Sequence, residues 1–142
     1  VDGKYSLSAL ERKLIANTFV AGYADEDKCA ETIDDVFEDL GYLSDTHTAV
    51  ALKVREDNAD DNGNNVVVLS TASPYKFPSS VYQAITGKAI TDAFVAADKL
   101  EELSACPIPN QILSLKQKEV RFTKVISSEQ CNDTVLQFAK QK

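Results

Sequence analysis

Residues 66–80, VVVLSTASPYKFPSS, constrain this chain more than any other stretch. VVVLS is short, continuously apolar and β-branched, which predicts a strand at about 66–70 buried on both faces of a sheet. It stops abruptly at Ser70, Thr71, Ala72 and Ser73, and Pro74, Lys76, Phe77 and Pro78 follow before anything helical is expected to begin. The rest of the chain reads mostly as helix, so such a strand has scarcely any partners at hand. The expected fold class is therefore α/β. A helix-rich chain contributes one parallel-type strand to a sheet belonging to something larger.

The helical periodicity is clear. Leu7, Leu10, Leu14, Ile15, Thr18 and Phe19 recur at spacings of three and four, an amphipathic pattern. Asp25 is the candidate N-cap of a second helix carried by Ile33, Val36, Phe37 and Leu40 and stopped by Gly41. Ser44 or Asp45 caps a third over SDTHTAVALKVRE, whose small middle (Ala49, Val50, Ala51) lets it lie close to a sheet. Pro78 suits the first turn of a fourth helix ending at Gly87, and a fifth covers roughly 89–104. The prolines of CPIPN force an extended connector. EVRFTKVI alternates like an edge or antiparallel strand, and SSEQCNDTVLQFAKQ predicts a serine-capped last helix. The acidic run DNADDNGNN invites a calcium-loop reading, with Gly63 as the loop glycine. Leu69 then falls where such a loop needs a bidentate glutamate, so the run is a solvated turn.

Composition excludes several classes. A chain of 142 residues fits a single domain. Its net charge of −7 and pI of about 4.7 argue against a nucleic-acid partner. No apolar run approaches the ~20 residues of a membrane span, and no secretory signal opens the chain. Cys29, Cys106 and Cys131 are odd in number and widely spaced, which reads as reduced thiols in a cytoplasmic protein. His47 is the sole histidine, so no His-rich metal site exists.

In open α/β sheets ligands lie beyond the carboxyl ends of the strands, and Ser-Thr-Ala-Ser occupies such a place. Small side chains let a ligand approach the backbone, and a threonine hydroxyl offers one fixed hydrogen bond. Hydroxyls also cap turns everywhere, so the pattern alone leaves both readings open.

VVVLSTASPYKFP resembles the carboxyl-terminal stretch of threonine synthases, where a strand runs into a Thr-Ala-x-Pro-x-Lys-Phe segment. GYLSDTHTAVAL, residues 41–52, is similar to the Asp-Pro-His-Thr-Ala-Val-Ala stretch of the same enzymes. FVAGYADED and CPIPNQILSLKQKEVRFTKV also look like their counterparts, in the same order. Thr46 stands where the family usually has proline, and Ser73 where many members have histidine, so no histidine role transfers to Ser73.

The resemblance implies that residues 1–142 are a carboxyl-terminal segment of a fold type II (tryptophan-synthase-β-like) pyridoxal-phosphate enzyme. The implied reaction converts O-phosphohomoserine and water to L-threonine and phosphate, within threonine biosynthesis. It implies Thr71 as the partner of the cofactor's pyridine nitrogen, with His47, Ser70 and Ser73 as candidates for lining the site. Lys76 and Asp45 are weaker candidates, a solvated lysine and a helix cap. The family's Schiff-base lysine sits in a Phe-Lys-Asp segment towards the amino terminus of a longer chain. Here the Phe/Lys neighbours, YKFP and RFTK, both match carboxyl-terminal segments, and no glycine-rich phosphate loop appears. The chain alone is expected to be inactive, and its partner is the remainder of the same enzyme. A different lyase of this fold, such as a dehydratase, and a non-catalytic α/β interaction module are the alternatives.

Overall fold

Ser8, Asp25 and Asp45 each begin a helix by the same device, an oxygen turned back onto a free amide of the first turn. The computed structural model describes residues 3–59 and 65–140. Ser8 forms a reciprocal capping box with Glu11 and starts α1 (Ala9–Ala16). Asp25 accepts from the Lys28 amide at 2.9 Å and starts α2 (Glu26–Leu40). Asp45, not Ser44, starts α3 (Thr46–Asp57). Gly41 ends α2 at φ 63, a left-handed conformation that a Cβ disfavours.

After a short 3₁₀ turn, Pro74–Lys76, the chain forms α4 (Pro78–Thr86) and α5 (Ala93–Ser104). α5 begins later than its periodicity suggested because Asp92 caps it, accepting from the Phe94 and Val95 amides. The short α6 (Asn110–Leu113) follows the proline connector, and α7 (Cys131–Lys140) follows a 3₁₀ turn carrying a Ser127–Gln130 capping box.

The core lies where α2 meets α3 and α4, and where α4 meets α5. Ile33, Ala49, Val81 and Leu100 are essentially sealed, with Cys29, Leu43, Tyr75, Ala97 and Ile108 around them. Tyr75 both fills this core and ties two connectors to it. Its hydroxyl donates to the Cys106 carbonyl, and the Ile108 amide donates to Glu101 Oε1 at 2.8 Å. The 3₁₀ turn and the proline connector are thereby fastened to α5.

Three expectations are corrected. No strand forms among the described residues, and residues 65–71 run without regular structure. Val66, Val67 and Leu69 are exposed, Val67 by 83%, so the expected burial of 66–70 fails within this chain. The reason is elementary: a strand is held by its ladder, and among the described residues no strand lies alongside to supply one. EVRFTKVI likewise stays unpaired, with Val120, Phe122 and Val125 open to solvent. α1 stops at Ala16, short of Thr18 and Phe19, and neither α1 nor α7 buries a residue. Most of the acidic turn, residues 60–64, lies outside the described residues.

Candidate functional site

The first turn of α3 gathers its polar groups around one carboxylate. The Asp45 side chain is 0% exposed, while that of His47, two residues on, is 60% exposed. Asp45 Oδ1 accepts from the His47 amide at 2.9 Å and lies 3.2 Å from His47 Nδ1. Its Oδ2 accepts from the Thr48 hydroxyl. Burial alone would raise the Asp45 carboxyl, but the Thr48 and His47 hydrogen bonds outweigh it and hold it below the usual aspartate value. An ionised carboxylate only accepts, so Nδ1 carries the proton in its contact with Asp45.

The same first turn reaches the Ser-Thr-Ala-Ser loop. Thr48 Oγ1 lies 3.2 Å from Ser70 Oγ. Thr48 has a single hydroxyl proton and gives it to Asp45, so Ser70 is the donor between the two hydroxyls. The His47 ring sits 5.2 Å from the Phe77 ring at a tilt of 42°, and Lys76 Nζ lies 5.7 Å from the Phe77 centroid. DTHTAVA and STASPYKF therefore form one surface.

Within the loop, Ser73 Oγ accepts from the Tyr75 amide at 3.3 Å and caps the 3₁₀ turn. Ser70 and Thr71 are exposed, while Ala72 and Ser73 are half-buried. A cavity of about 260 Å³, bounded by Cys29, His47, Val50 and Phe77 among others, opens beside the histidine. A larger one of about 530 Å³ lies between α3 and residues 66–69. Thr71 lines neither and is exposed to solvent. Cys29 is no candidate nucleophile: burial, with Glu26 and Asp45 nearby, pushes its thiol up, and it donates to the Thr46 carbonyl at 3.3 Å.

Of the residues singled out from sequence, Ser70 and His47 are brought to a common anchor, and Asp45 is the cap it was expected to be. Ser73 is committed to its turn. Thr48 and Phe77 were missed. The Asp45-x-x-Thr48 spacing, a hydroxyl three residues past an N-cap, was the available signal for Thr48.

Residues 48–135, well over half of the chain, match the family described as "Threonine synthase, C-terminal". The chain belongs to the threonine synthase family. It is 36% identical to mouse threonine synthase-like 1 over 106 residues and 38% identical to the human protein of that name over 84. It is 33% identical to the threonine synthase of Pseudomonas aeruginosa over 106 residues. Those stretches cover 71%, 59% and 74% of this chain. They cover only 14%, 11% and 22% of the relatives, so the chain spans less than a quarter of each. The threonine synthase match takes in Thr48 and the whole of Ser70 to Phe77, and it begins one residue past His47.

Proposed function

We propose that this chain forms one wall of a threonine synthase active site, with Thr71 as the hydroxyl partner of the ring nitrogen of pyridoxal phosphate. The observation that carries the reading is the Thr48–Ser70 contact, which joins two motifs 22 positions apart and leaves Thr71 exposed beside the junction. The donor chemistry fits the group. What the surface offers at Thr71 is a neutral hydroxyl that can donate or accept, while the nearby carboxylate of Asp45 is sealed behind Thr48. Ala72, next to Thr71, adds no bulk against a flat ring.

Pyridoxal phosphate, when bound, supplies an electron sink that eases proton removal from carbons next to the substrate amine. This chain's residues orient and moderate that sink. A hydroxyl at the ring nitrogen does not force it to stay protonated, as an aspartate would, and moderate electron withdrawal suits repeated proton shifts. Phe77 and His47, their rings 5.2 Å apart, wall the surface.

The reaction proposed for the whole enzyme is conversion of O-phosphohomoserine and water to L-threonine and phosphate, in the cytoplasm. The lysine that carries the cofactor belongs to another part of that enzyme, so these residues alone are inactive. In the fold type II architecture we assign, Val66–Ser70 completes a sheet built by the remainder of the protein, which accounts for an exposed β-branched run.

In the full-length enzyme, Thr71→Val keeps the shape and removes the hydroxyl, and cofactor affinity should weaken about tenfold. Thr71→Ser keeps the hydroxyl and should stay within about twofold of wild type. Equal affinities for the Val and Ser variants would reduce Thr71 to a turn residue and end the assignment.

A further inference from the structure

Thr48 makes a contact that its role in the helix cap does not require. The cap is complete once Asp45 accepts from the His47 amide, yet the Thr48 hydroxyl, on a residue only 3% exposed, also faces Ser70. The direction of the hydrogen bonds is set by the proton count: Ser70 donates to Thr48, and Thr48 donates to a carboxylate that stays ionised. Ser70 is thus tied to a buried charge and not merely to a neighbouring surface hydroxyl.

The other end of the loop is tied as well. Ser73 caps the turn that begins at Pro74, and Tyr75, 3% exposed, anchors that turn through the Cys106 carbonyl. The segment between the two ties is Thr71 and Ala72. A loop held at both ends meets a ligand without first losing conformational freedom, which is the usual origin of a preorganised contact.

We propose that Thr48 is a positioning residue: the chain Asp45–Thr48–Ser70 sets the register of the turn that presents Thr71 to the cofactor. This rests on the reading of Thr71 as the cofactor contact. Thr48 touches no reacting atom and acts only through Ser70. Losing the Ser70 tie frees the Thr71 backbone, and the cofactor then has to order it on binding.

The test uses the full-length enzyme, with two readouts for each variant. One is pyridoxal-phosphate affinity, from titration of the apoenzyme, and the other is amide hydrogen exchange across residues 70–73. Thr48→Val and Ser70→Ala should each speed exchange about fivefold or more and weaken affinity about fivefold, with Thr48→Ser close to wild type. Ser70 is exposed, so Ser70→Ala keeps the test open if Thr48→Val fails to fold. Unchanged exchange in Ser70→Ala overturns the proposal. So does faster exchange with unchanged affinity, where Thr71→Val does weaken binding. If Thr71→Val itself leaves affinity unchanged, the cofactor reading fails, and with it the functional part of this inference, whereas the exchange result still reports on the tie.

Discussion

Asp45 keeps a sealed carboxylate ionised with one hydroxyl and two groups of His47, and that has a signature in pH. Its folded value lies below that of an ordinary aspartate, so the carboxylate stabilises the fold above the unfolded value. The contribution is lost as pH falls through the folded value. Thermal melts from neutral pH down past the aspartate range should show wild type losing more stability than Asp45→Asn, and parallel curves would contradict the ionised cap. At neutral pH, Asp45→Ala should cost about 0.5–2 kcal/mol, as caps do. Asp25, Asp45, Gly41 and Gly87 were legible in the sequence because each acts within a few residues of itself. Thr48 was not, because its partner Ser70 lies 22 positions away and only the folded chain brings them together.

At the scale of elements, periodicity was a good guide wherever a helix could bury its face inside this chain. α2, α4 and α5 do so, and Leu100 at 0% exposure shows how tightly. Leu100→Ala should cost about 2–5 kcal/mol, read from denaturant unfolding, and a loss under about 1 kcal/mol would mean that the core relaxes around it. The apolar pattern of 66–70 signalled β-structure, but a strand cannot be built by its own residues, and no ladder partner stands among the described residues. The apolar faces of α1 and α7 raise the same point: Leu10, Leu14, Leu136 and Phe138 are exposed. If the remainder of the enzyme covers the extended segment, amides 66–69 should exchange rapidly in these 142 residues alone and slowly in the full-length protein. Equal exchange in both would refute the sheet-completing role.

For the whole molecule, the proposed site is one that this chain shares with the remainder of the enzyme. These residues hold a hydroxyl-rich turn, a histidine and an aromatic ring on one surface, and the threonine synthase relatives are several times longer than this chain. Mixed with pyridoxal phosphate, the 142-residue chain should retain no cofactor absorbance after dialysis, and retention would show a binding lysine within it. The functional assignment stands or falls on where Thr71 sits when the site is complete. A crystal structure of the full-length enzyme with pyridoxal phosphate measures that position. Thr71 Oγ1 is expected within about 2.6–3.2 Å of the ring nitrogen, with Ser70 still bonded to Thr48. A ring nitrogen facing a carboxylate or solvent, with Thr71 turned away, would contradict the assignment.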